Sequence, residues 1–73
     1  MLGHVLRDLR EATGLTQEKL GFAAKIAKNY VSDVEGARRN PTVRVLTQIL
    51  DALDLSWAEF GAVYDAARKT KRR

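Results

Sequence analysis

Apolar side chains in this chain return every three or four positions and nowhere alternate with polar ones, the spacing of helix faces rather than strand faces. The strongest case is Val43, Leu46, Ile49, Leu50 and Leu53, which lay a continuous stripe along one helix. Leu2, Val5, Leu6 and Leu9 repeat the pattern near the start, and Phe60, Val63, Tyr64 and Ala67 repeat it near the end. Between them, Leu20 with Ala24 and Val31 with Val34 make two shorter faces. No run of β-branched or aromatic residues has period two, so no strand is predicted and the fold class is all-α.

Punctuation divides these stripes into five helices. Gly14 suits the left-handed position after the first, and Thr16 can cap a second that runs from Gln17 to about Ala24. A third spans Lys28 to Glu35 and stops at Gly36. The segment Ala37-Arg38-Arg39-Asn40-Pro41 is a loop, because Pro41 disfavours helix at Asn40. Thr42 can cap the fourth helix, and Ser56-Trp57-Ala58-Glu59 has the capping-box pattern that opens the fifth. The connections are a few residues long, so the 73 residues are expected to form one domain over 1–67 and a basic tail over 68–73. That tail lacks apolar periodicity and is expected to be flexible without a partner.

Charge is distributed unevenly. Residues 25–44 carry Lys25, Lys28, Arg38, Arg39 and Arg44 against Asp33 and Glu35, a net +3, whereas residues 45–67 carry only acidic groups and total −4. The tail adds +5. A basic side of this kind fits a polyanionic partner, with a solvated surface as the alternative.

Several functions are excluded or unexpected. There is no cysteine and one histidine, His4, so disulfides, thiolate metal sites and a zinc cluster are ruled out, and no cofactor is expected. No stretch longer than six residues lacks a charged side chain, which leaves no candidate for a spanning helix or a signal peptide. The expectation is a cytoplasmic protein with neither membrane nor small-molecule partner. Without a Gly-rich phosphate loop or an evident carboxylate pair, it is not expected to be an enzyme.

Two short helices about three residues apart, the second polar outside, suit a pair in which one helix enters a DNA major groove while the other braces it. From Leu15 to Phe60, "LTQ", "YVSDVE", "RRNPT" and "ILDALDLS" fall at the spacing of a known group. The chain resembles the Cro/lambda-repressor-like, or XRE-type, helix-turn-helix family. The resemblance implies a five-helix lambda-repressor-like domain, a two-fold homodimer on a palindromic operator in double-stranded DNA, and transcriptional regulation. Proteins of this size include phage repressors of the Cro kind and restriction-modification controller proteins. An antitoxin-like module that grips a protein partner and autoregulates through DNA is the competing reading.

The resemblance also assigns residues. Lys28, Asn29, Ser32 and Asp33 match the positions that meet base edges; lysine can donate to guanine, asparagine can pair with adenine, and aspartate can accept from cytosine. For any one of them an ordinary solvated helix face is the alternative. Asp33 has a further one, an ion pair with Lys25, Lys28 or Arg38. Gln17, Arg38, Arg39 and Asn40 match backbone-contacting positions, and Arg44 either joins them or faces solvent. Tyr30 either places its hydroxyl on a phosphate or packs against the core. Arg10 and Glu35 are implied to form a structural ion pair between the first and third helices.

Trp57, Val63 and Tyr64 on the fifth helix are the candidate dimer interface, with packing of the small core as the alternative for the aromatics, while Phe22 is either a second contact or a surface aromatic. Three departures from the family pattern stand out. Lys25 occupies the usual glycine of the turn, which implies a left-handed backbone at a cost of roughly 1 kcal/mol. Ala27 replaces the usual hydroxyl cap. Ala37 stands where glycine is common, with Gly36 expected to take that role one residue earlier.

Overall fold

The helix starts are held by the caps that the sequence supplies. In the structure, a computed structural model that describes residues 1–71, Thr16 Oγ1 accepts from the Lys19 amide at 3.0 Å and Thr42 Oγ1 from the Val45 amide at 3.1 Å. Ser56 and Glu59 bond reciprocally: the Ser56 amide donates to Glu59 Oε1 at 2.8 Å, and the Glu59 amide donates to Ser56 Oγ at 3.0 Å. The resulting elements are α1 (Leu2–Ala12), α2 (Gln17–Ala24), α3 (Lys28–Glu35), α4 (Val43–Ala52) and α5 (Trp57–Lys71).

One core joins them. Val5 and Leu6 of α1, Leu20 and Ala24 of α2, Val31 and Val34 of α3, Leu46, Ile49 and Leu50 of α4, Leu53 and Phe60 are buried together. Helix α2 packs on both α3 and α4, and α1 packs on α3 and α5. Gln48 Nε2 donates to the Ala24 carbonyl at 2.7 Å, which satisfies an acceptor at the end of α2 that the helix itself leaves open. Phe60 continues the core outward, with Tyr64 stacked on it at 5.9 Å between centroids and Trp57 edge-on at 6.3 Å.

Gly3 allows α1 to approach α3 closely. A Cβ at that position would clash with the Val34 carbonyl oxygen and lie 2.8 Å from that of Glu35. Both of those atoms are backbone, so neither can move aside as a side chain would.

Two sequence expectations are corrected. Gly36 does not take the left-handed conformation; its φ is −86°, and Ala37 adopts φ 63° instead. The chain therefore reverses one residue later than expected, with the Ala37 amide donating to the Val34 carbonyl at 3.1 Å and the Arg38 amide to the Asp33 carbonyl at 2.8 Å. Replacing Ala37 by glycine should stabilise the fold by about 1 kcal/mol, because the left-handed penalty of a Cβ disappears. A higher urea midpoint at unchanged slope is the expected result.

The second correction concerns the tail. Helix α5 continues through Lys71, past the boundary at residue 67, so residues 68–71 are helical rather than irregular. Ion pairs accompany the first of these extra residues. Asp65 Oδ1 receives Arg68 Nη2 at 2.6 Å and Asp65 Oδ2 lies 3.5 Å from Lys69 Nζ, pairs that support the last turns. The bond from Arg68, and then the field of Lys69, hold the Asp65 carboxyl below the usual carboxylate range. This contribution is present at neutral pH and fades as pH falls through that range. Arg72 and Arg73 lie outside the described residues.

Candidate nucleic-acid interface

The turn between α2 and α3 decides how the second short helix is presented. Lys25 takes the left-handed conformation (φ 62°, ψ 42°), and the Ile26 amide donates back to the Gly21 carbonyl at 2.9 Å. Gly21 makes room for this reversal, since a Cβ there would sit 2.8 Å from the Ile26 oxygen. Ala27 is the extended N-cap residue of α3 and supplies no side-chain cap. The helix therefore begins at Lys28 without a side-chain cap, and the Tyr30 amide donates to the Ala27 carbonyl at 3.0 Å.

From this start α3 turns Val31 and Val34 into the core and leaves Lys28 and Asn29 exposed, with Ser32 and Asp33 half-buried beside them. Lys25, Lys28 and Arg44 are exposed and, among the described residues, have no carboxylate within ion-pair distance. Asp33 is differently placed. Its Oδ1 receives Arg38 Nε at 3.3 Å, and its Oδ2 lies 3.9 Å from Arg39 Nε. Of the ion-pair partners open to Asp33, Arg38 is the one within reach, and Arg39 joins it, which the sequence did not suggest.

Tyr30 combines two features. Its ring is packed against the core, and the Arg39 guanidinium stands over the outer part with Cζ 4.9 Å from the centroid. Arg39 thus meets both an aromatic ring and a carboxylate. The loop that carries Arg38, Arg39 and Asn40 is exposed up to Asn40, with Pro41 half-buried, and ends at the Thr42 cap, where Arg44 begins the solvent face of α4.

Beneath this surface lies a buried pair. Arg10 Nε donates to Glu35 Oε2 at 2.7 Å and Arg10 Nη2 to Glu35 Oε1 at 3.0 Å, a two-pronged contact between α1 and the last residue of α3. Arg10 Nη1 donates to the Leu15 carbonyl at 2.8 Å, and Gln17 Nε2 donates to Glu35 Oε1 at 3.0 Å. One guanidinium–carboxylate pair thereby ties α1, the following turn, the start of α2 and the end of α3. The Arg10 pKa is raised, chiefly by the bond to Glu35 and against the effect of burial, so the cation persists at any ordinary pH.

Sequence spacing brought Gln17 to the front of α2 but gave no sign of its bond to Glu35, which depends on how α3 ends. The placing of Arg39 over Tyr30 was equally hidden, because it requires the reversal at Ala37. Of the three aromatic or aliphatic residues assigned to an interface, Trp57 and Val63 are 48% and 40% exposed, while Tyr64 is half-buried against Phe60. Phe22 is 89% exposed on α2.

The pattern that defines the helix-turn-helix domain family matches residues 1–62. The chain belongs to that family. It is 37% identical over 59 residues to y4dJ of Sinorhizobium fredii, named as an HTH-type transcriptional regulator, covering 81% of this chain and 77% of the relative. It is 39% identical over 64 residues to the HTH-type transcriptional regulator PrpR of Mycobacterium tuberculosis, covering 88% of this chain and 13% of that much longer protein. Among solved structures, the restriction-modification controller protein C.AhdI from Aeromonas hydrophila superimposes with a TM-score of 0.78 at 37% identity. That match covers 81% of this chain and 86% of C.AhdI. The fold is accordingly the all-α, lambda-repressor-like one, and the helix-turn-helix regulators are not enzymes. In this helix-turn-helix chain no described helix is long and apolar enough to cross a membrane.

Proposed function

We propose that the chain is a sequence-specific regulator of transcription that binds double-stranded DNA as a homodimer on a palindromic operator, without a cofactor. The observation that carries this reading is the outer face of α3. Lys28 and Asn29 are exposed there without side-chain partners among the described residues, and the adjoining loop presents Arg38 and Arg39 held at Asp33 and Tyr30. Lys28, Asn29 and Ser32 would read base edges in the major groove. Gln17, Arg38, Arg39, Asn40 and Arg44 would fix the register on phosphates, joined by the Tyr30 hydroxyl. Gln17 can do so with the second hydrogen of the amide that already bonds Glu35.

A domain this small makes few phosphate contacts, so two half-sites about 34 Å apart are needed for tight binding. Trp57 and Val63 on α5 offer the exposed apolar surface for the second copy, with Tyr64 at its margin. Selecting preferred duplexes from a random pool tests the whole reading. Inverted half-sites one helical turn apart are expected, and a pool that never departs from random would overturn it. Trp57→Ala should weaken the dimer about tenfold or more, as sedimentation at several concentrations would reveal; an unchanged profile would remove α5 from the interface.

The antitoxin-like reading gains support from one observation, the almost complete exposure of Phe22 on α2, a different helix from the one that carries the residues assigned to the dimer. A second, different chain retained through purification from the native cell would favour it.

A further inference from the structure

Arg38 and Arg39 follow the end of α3, and both guanidinium groups turn back toward a single carboxylate. Asp33 divides its oxygens between them, Oδ1 to Arg38 Nε at 3.3 Å and Oδ2 toward Arg39 Nε at 3.9 Å. Arg38 Nη2 also reaches the Ser32 carbonyl and hydroxyl at 3.5 Å, and Arg39 is stacked over Tyr30. Among the described residues, none of the other cations in residues 25–44 is engaged with an acidic group. A carboxylate that presents two anionic oxygens to two neighbouring guanidinium groups offers them what a phosphodiester would offer.

We propose that Asp33 is a built-in competitor for DNA phosphate: it holds Arg38 and Arg39 in the free protein and so lowers the sequence-independent part of DNA affinity. The proposal rests on the reading of α3 and its following loop as the DNA-binding surface. Each arginine must leave or share Asp33 before it meets a phosphate, and on that reading the carboxylate that remains stays close to the phosphates, inside a Debye length of about 10 Å, where repulsion is only partly screened. Because phosphate contacts supply nearly all non-specific binding, the effect extends to every duplex. Asp33 acts here as a positioning residue. It keeps the arginines orderly and limits the time spent on unrelated sequence.

The test measures binding of the full chain to a selected duplex and to a random-sequence duplex over a range of salt. Asp33→Asn should tighten both by about three- to tenfold, the range for loss of two exposed ion pairs, and should steepen the salt dependence by up to about one unit of slope. Asp33→Glu keeps the charge and should stay within about twofold of the parent. In an Arg38→Ala/Arg39→Ala background the same Asp33→Asn change should gain less than about twofold, since the clamped groups are gone.

Weaker binding of Asp33→Asn to the selected duplex alone would mean that the carboxylate reads a base, and would overturn the proposal. An equal gain with and without the two arginines would reduce Asp33 to a general repulsive charge and overturn it as well. A parent chain that retained no duplex at all would remove the DNA reading itself, and the clamp with it; there the parent, rather than a variant, is silent.

Discussion

Arg10→Ala should remove a large part of the molecule's stability, about 3–5 kcal/mol. The substitution leaves the Glu35 carboxylate buried with only Gln17 to bond it, and it frees the Leu15 carbonyl that Arg10 had satisfied. Breaking one partner out of a buried pair costs about 3–5 kcal/mol. A chain of 73 residues has a total stability of roughly 4–11 kcal/mol, so the loss is a large part of the whole. Urea unfolding followed by circular dichroism would give the figure. Removing both charges, as Arg10→Met/Glu35→Leu, should recover most of it, because no uncompensated ion is then left inside. A double variant as unstable as the single one would assign the cost to lost packing instead.

The raised Arg10 pKa gives this pair a simple pH dependence. A group whose pKa is higher in the folded state stabilises fully below its unfolded value and loses its effect only as pH rises through the folded one. For a guanidinium that window lies far above any ordinary buffer. Moderate alkali should therefore leave the contact intact.

The second large effect is expected on recognition. Asn29→Ala should weaken binding to the selected operator by about 1–3 kcal/mol, roughly 5- to 150-fold, with little change on random duplex, because a two-bond contact to one base is lost. Arg39→Ala should instead weaken binding to all duplexes alike and lower the salt slope by about one. Competition binding at several salt concentrations separates the two patterns. Equal losses for both variants on both duplexes would remove Asn29 from the base-reading face.

Much of the fold was legible because its determinants are local. Gly14, Thr16, Thr42 and the Ser56–Glu59 box fix where helices stop and start within a turn of chain, and three- and four-residue spacing fixes which face is buried. The family motifs added the Arg10–Glu35 pair, whose partners lie 25 residues apart and cannot be paired from periodicity. What escaped the sequence depends on backbone conformation at single positions. Whether Gly36 or Ala37 takes positive φ determines where Arg38 and Arg39 point, and both residues can terminate a helix. The length of α5 escaped for another reason. Its final turns follow ion pairs with Asp65, which an apolar pattern does not register.

The four-way tie made by Arg10 bears on how this domain would meet an operator. With α1, α2 and α3 fastened at one point, the reading helix has little freedom to tilt or slide in search of a better fit. Whatever accommodation is required must come from the double helix, through bending and changes of groove width. Base steps differ in how readily they yield, so preference would extend to positions that no side chain touches, most of all at the centre between the half-sites.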